Sequence, residues 1–129
     1  MYQQTTLVGY VGNEPTMRYT QDGLPVTNFN VAVNNRYTTA AGESMEETIW
    51  YRITTWRRQA ETCADYVHPG QLVLVVGVLK PPHVWIDDEG QAQATLELTA
   101  RLVKFLSRHP QSDEVEEAID IIDDGVVAA

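Results

Sequence analysis

The chain has 129 residues, 43% of them hydrophobic, enough for one domain with its own core and a short appendage but not for two domains. No run approaches the roughly 18–20 consecutive apolar residues of a membrane span, and Met1-Tyr2-Gln3-Gln4 lacks the basic and apolar regions of a signal peptide, so a soluble, cytoplasmic protein without membrane contact is expected. The formal charge of −9 argues against a uniformly basic surface, but it is unevenly placed: nine basic against eleven acidic residues leave −2 over 1–108, while seven acidic residues and no basic one leave −7 over 109–129. The single cysteine, Cys63, excludes an internal disulfide.

Thr5 to Val11 is a strand ended by the turn residues Gly12-Asn13-Glu14-Pro15. A short extended piece, Met17-Arg18-Tyr19, runs into a turn at Gln21-Asp22-Gly23-Leu24-Pro25. From Val26 to Asn34 the alternation is strict, with Phe29, Val31 and Val33 on one face and Asn28, Asn30 and Asn34 on the other, as in a half-buried strand. The small, polar stretch from Arg36 to Met45 predicts a mobile hairpin loop. Glu47 to Trp56 alternates again: Ile49, Tyr51 and Ile53 share one face, and Trp50, Arg52, Thr54 and Trp56 share the other. Between Arg57 and His68, Ala60, Cys63, Ala64 and Val67 recur at helical spacing and Pro69-Gly70 closes the pattern, which predicts one helix of about three turns.

Gln71 to Lys80 is almost wholly apolar, as in a strand covered on both faces, and Pro81-Pro82 interrupts it. An arm turning at Asp88-Glu89-Gly90 follows, then a last strand from about Gln93 to Phe105 with Leu96, Leu98, Ala100 and Leu102 on one face. Three strands, a helix, then two or more strands with long hairpin arms is the order of an OB-fold: a mainly all-β, five-stranded Greek-key barrel with its helix between strands three and four. That domain is expected over residues 1–108, with a short acidic tail over 109–129.

An unpaired nucleic-acid strand exposes the flat faces of its bases, so a protein that holds it needs aromatic platforms with cations beside them for phosphate. Trp50 and Trp56 lie on one strand face with Arg52 between them, and Arg57-Arg58 follow directly. Trp85, near Lys80, and Tyr37, beside Arg36, add two further platforms outside the apolar alternation of their segments. The competing reading is that these aromatics simply pack, against the helix, a loop or a neighbouring subunit.

The runs Leu7-Val8-Gly9-Tyr10-Val11-Gly12-Asn13-Glu14-Pro15, Arg18-Tyr19, Val31-Ala32-Val33 and Trp50-Tyr51-Arg52-Ile53-Thr54-Thr55-Trp56-Arg57-Arg58-Gln59-Ala60-Glu61 resemble the bacterial single-stranded DNA-binding proteins. Tyr66-Val67, Gly70-Gln71-Leu72-Val73 and Gly77-Val78-Leu79 continue the resemblance, which covers roughly residues 5 to 106. It implies stacking at Tyr37, where the family often has tryptophan, and at Trp50, Trp56 and, allowing one extra residue, Trp85. It implies basic contacts at Arg18, Arg52, Arg57 and Lys80. It also implies self-association, as a homotetramer or a dimer, with the strand wrapped around the assembly. Tyr51 is placed either near a subunit contact or in the core.

Departures from the pattern are Tyr10, where a polar or basic residue is usual, and Pro81-Pro82, where basic residues are common in the arm; with so few lysines and arginines, weaker phosphate contact is expected. The tail is short and differs from the long linker and the proline- and phenylalanine-containing acidic tip that recruit replication and repair partners in the family; such proteins are still expected as partners of the acidic tail. Asp113, Glu116 and the apolar row Val115, Ala118, Ile119 and Ile122 predict instead a short acidic amphipathic helix, able to dock on a subunit and compete with DNA; a solvated tail is the alternative.

His68, His83 and His109 do not cluster with Cys63 at metal spacing, and no phosphate loop or nucleophile motif occurs, so no metal, cofactor or catalytic residue is expected. Cys63, on the helix's apolar stripe, reads as a buried, inert thiol. The expected function is binding of single-stranded DNA with little sequence preference, protecting it during replication, recombination and repair. The alternatives are a primosomal or competence-linked relative, or an OB-fold module whose aromatic face binds protein or oligosaccharide.

Overall fold

The computed structural model describes residues 1–107. In chain order they form β1 (Thr5–Val11), β2 (Thr16–Tyr19), β3 (Pro25–Thr38), β4 (Ser44–Trp56), α1 (Arg57–Tyr66), β5 (Leu72–Leu79), β6 (His83–Ile86) and β7 (Ala92–Phe105). Neighbouring strands run β1-β5-β7-β4-β3, and β1 pairs again with β3, so five strands close on themselves. β4 and β7 are parallel and the other pairings antiparallel. The short β2 flanks β3, and β6 pairs with β7 as an arm. With α1 between the third and fourth barrel strands, this is the OB-fold that the order of elements predicts.

Two glycines let strands approach where the barrel turns its corners. β1 reaches β3 where Tyr10 stands opposite Ala32, and a Cβ on the preceding Gly9 would overlap the Ala32 carbonyl oxygen. A Cβ on Gly77 would overlap the Thr99 carbonyl oxygen, at an irregularity in the β5–β7 pairing. There Val76 stands opposite Leu102 but Gly77 opposite Ala100, so Arg101 is an extra residue on β7. One extra residue exchanges the two faces of a strand. Leu98 and Ala100 belong to the core before the bulge and Val103 and Phe105 pack against it afterwards, while Leu102 is turned out, 41% exposed. The inward row expected from periodicity is therefore wrong at Leu102.

The core gathers Leu7, Val11, Phe29, Val31, Ile53, Val73, Val75, Leu98 and Ala100 from the strands, with Cys63 and Val67 from the helical segment. Burying a valine, leucine, isoleucine or phenylalanine contributes about 1.5–3 kcal/mol, so the eight such strand residues outweigh any surface interaction described below. Tyr51, half-buried, packs against this cluster, as its alternation expects. A buried threonine ties the helix down, the Thr27 hydroxyl donating to the Ala60 carbonyl at 2.7 Å, and a second braces it from β4, the Thr55 hydroxyl donating to the Thr27 carbonyl at 3.1 Å. α1 stops at Tyr66 because Val67 is extended, its N–H still bonded to the Cys63 carbonyl, so the helix is two residues shorter than its apolar spacing predicts.

The β5 outer face is covered by a second, smaller cluster of Leu72, Leu74 and Leu106 with Val8 and Val76, not by another layer. The stretch from Arg36 to Met45 is paired for most of its length. Strand pairing continues to Thr38 opposite Ser44, and the turn is closed by the Thr39 N–H donating to the Glu43 carbonyl at 2.9 Å. The acidic tail, with its expected helix, lies outside the described residues. Among the described residues no helix is long and apolar enough to cross a membrane.

Burial pushes the Cys63 thiol up to about 11, against a smaller opposite effect of its hydrogen bond with Thr55. At pH 8 the native protein should therefore react with a disulfide reagent about a hundred-fold slower than a free thiol, and at the ordinary rate in denaturant. Fast native labelling would show that α1 does not close over the barrel.

Candidate nucleic-acid interface

The alternation of β4 creates the site. Ile53 and Thr55 point into the barrel, so Trp50, Arg52, Thr54 and Trp56 must point out. Trp50 is 53% exposed and Trp56 41%, an unusual exposure for the two largest side chains of a strand. Across the ladder, Ala32, Asn30, Asn28 and Val26 of β3 stand opposite Trp50, Arg52, Thr54 and Trp56. On the other side of β4, Glu97 of β7 stands opposite Arg52. The face is thus aromatic at both ends and polar in the middle.

Arg18 joins this face from β2, where it stands opposite Val26 and hence in line with Trp56. Its Nη1 donates to Asn28 Oδ1 at 2.6 Å, and Asn28 Nδ2 donates to Thr54 Oγ1 at 2.8 Å and, at a long 3.4 Å, to the Ile53 carbonyl. Asn28 is buried, so both ends of its amide are used and the guanidinium is held against the sheet by a satisfied polar chain across three strands. Sequence reasoning missed Asn28 and Thr54. Their outward alternation was visible, but that they face one another depends on the β3–β4 register.

Arg57 opens α1 directly after Trp56, with φ of 59°, in the left-handed region where a side chain other than that of glycine is strained. Trp56 itself is extended and gives α1 no side-chain cap. The strand-to-helix junction is therefore a tight corner that sets an exposed indole and a cation side by side.

Tyr37 is exposed but stands opposite Met45, on the same alternation as Val33, so it lies on the face of the β3–β4 hairpin opposite to Trp50. The expectation that every candidate aromatic falls outside its segment's apolar alternation is corrected here. Lys80 is exposed at the root of the β6–β7 arm, its N–H bonded to the Glu97 carbonyl at 2.8 Å. On the arm, Trp85 is 40% exposed and stacks on His83, ring centroids 5.6 Å apart and planes at 23°. Asp87 locks the turn by accepting from the Gln91 and Glu89 N–H groups at 2.8 and 3.0 Å and from Gln93 Nε2 at 3.0 Å. These bonds, that of Gln91 foremost, hold its carboxyl below the usual carboxylate range. The fold therefore brings Trp50, Arg52, Trp56 and Arg18 together with Arg57 at the edge, and leaves Tyr37, Lys80 and Trp85 on the two arms.

Known proteins share both the sequence and this architecture. A single-stranded DNA-binding protein of Caldanaerobacter subterraneus subsp. tengcongensis is 39% identical over 106 residues, spanning 82% of this chain and 69% of that protein. One from Thermotoga maritima is 33% identical over 122 residues, 93% of this chain and 86% of that one. Among solved structures, a deletion variant of the Thermus aquaticus single-stranded DNA binding protein superposes with a TM-score of 0.68 at 29% identity, over 84% of this chain and 52% of that one. The Plasmodium falciparum SSB in complex with ssDNA gives 0.69 at 25% identity, over 83% and 97%. The model of the single-strand binding protein family matches residues 2–106, and the chain belongs to that family.

Proposed function

We propose that this chain binds single-stranded DNA with little sequence preference, protecting it during replication, recombination and repair, and that it does so by holding the strand rather than by chemistry. The observation that carries this reading is the exposed β4 face, with two indoles on one side of a strand and Arg52 between them. Each base stacked on an aromatic ring is worth about 1–3 kcal/mol whatever its identity, so Trp50 and Trp56 supply affinity without selecting sequence. Arg18, Arg52 and Arg57 lie at this face for phosphates, Lys80 and Trp85 extend the path along the β6–β7 arm, and Tyr37 offers a platform on the far face of the β3–β4 hairpin. With so few cations the salt dependence should be moderate, since each phosphate contact to a single strand adds about 0.7 to the slope of log affinity against log salt.

Self-association, as a homotetramer or a dimer, is part of the proposal. Outside the barrel, the exposed Leu102 stands beside Val76, which lies between it and Thr6, next to the buried Leu74 cluster. The bulge at Arg101 is what turns Leu102 into this row, and an apolar patch of this kind on a sheet face is a surface for another subunit.

Titration with oligo(dT) should quench the intrinsic tryptophan emission saturably, and less steeply as salt rises. Trp50→Ala with Trp56→Ala should cost about 2–6 kcal/mol of binding, well above Tyr37→Ala alone; no quenching in the unaltered protein would favour a protein-interaction module instead. Arg57→Gly should act in opposite directions on the two properties. Relief of the left-handed strain, less the added freedom of the unfolded chain, should stabilise the fold by about 0.5–1 kcal/mol, while the salt slope falls by about 0.7. Loss of stability in a melt of that variant would contradict the strain argument. Leu102→Asp should shift the protein to a smaller species in sedimentation velocity at little cost to the barrel, and an unchanged size would exclude the outer face as the contact.

A further inference from the structure

Gly12 sits one residue beyond the end of β1, where its N–H donates to the Asn30 carbonyl at 2.9 Å. Nothing in its backbone calls for glycine: among the described residues the glycines with positive φ are Gly23, Gly42, Gly70 and Gly90. What calls for it is a ring. A Cβ built on Gly12 would overlap Cζ3 of Trp50 and stand 2.6 Å from Cη2. Trp50 belongs to β4 and is in register with Ala32 of β3, yet the far edge of its indole meets Gly12, just past β1. The ring therefore lies down across β3 instead of standing out from the sheet. Two further facts agree with a ring that has one face against protein and the other free. Trp50 is about half exposed, and Ala32, which points out on this side, is only 9% exposed.

We propose that Gly12 is a positioning residue for strand binding, its missing side chain being the seat that holds the Trp50 indole flat as a ready-made platform for a base. The inference rests on single-stranded DNA being the ligand of this face. A ring already lying on the sheet has lost its rotamer freedom during folding, so stacking a base need not order it again. A methyl group at position 12 lifts the outer ring off the sheet and returns that cost to the binding step. Gly12 contributes no stacking of its own, and it acts only through the two ring atoms that phenylalanine would lack.

The test is a cycle of four proteins: unaltered, Gly12→Ala, Trp50→Phe, and the two substitutions combined, each titrated with oligo(dT) and melted. Gly12→Ala should weaken binding by about ten-fold and alter the tryptophan emission before DNA is added. In the Trp50→Phe background the same substitution should change affinity by less than about two-fold, because the colliding atoms are gone. An equal loss in both backgrounds overturns the proposal, as does unweakened binding by Gly12→Ala. If Gly12→Ala does not fold, a combined variant that folds and binds like Trp50→Phe supports the seat, and one that fails overturns it. Failure of the unaltered protein to bind oligo(dT) would instead remove the function on which the inference rests.

Discussion

β4 has to satisfy two solvents with a single strand. A residue on a pleated strand points to the side opposite its neighbours, and barrel closure makes one of those sides dry. Ile53 and Thr55 are therefore taken into the interior, and Trp50, Arg52, Thr54 and Trp56 are left in water. Two partly exposed indoles are an unfavourable way to finish a surface, but burial of the opposite face over-determines the register and holds them there. The core stabilises the very exposure that equips the site.

The same closure explains the supporting parts. Five strands can close only if backbones approach where the sheet bends, and Gly9 and Gly77 stand at these approaches. At the second corner the fold also inserts Arg101, and the bulge moves Leu102 from the core row to the outer face. One distortion thus serves the closure of the barrel and the apolarity of its outside. On the opposite side, bringing β1 against β3 places Gly12 within reach of a side chain from β4, so three strands build the seat of one indole.

The cations are arranged with similar economy. Arg18 is tied to a buried amide that is itself tied to Thr54, and Arg57 is turned by its own left-handed backbone at the head of α1. Neither arrangement adds much stability; a strained residue even subtracts from it. Their effect is to restrict where a guanidinium can be, as the proposed contact with phosphates beside stacked bases would use.

Much of this was legible in the residues themselves. Alternation over Glu47 to Trp56 assigned the outward row of Trp50, Arg52 and Trp56, the spacing of Ala60 and Cys63 assigned the buried side of α1, and the order of elements assigned the OB-fold, because each of these depends on chain-local periodicity alone. What depends on two distant segments was not legible. Periodicity cannot see the extra residue at Arg101, since a bulge exists only relative to the partner strand, and it mistook the paired β3–β4 hairpin for a loop, since its polar residues are stabilised across the ladder. It could not show that Tyr37 faces away from Trp50, that Asn28 links Arg18 to Thr54, or why Gly12 has no side chain. Which residues alternate, and therefore which side of each strand is wet, follows from local chain order; which of those residues meet follows from register and strand approach, because these are set by the closing of the barrel and not by any single strand.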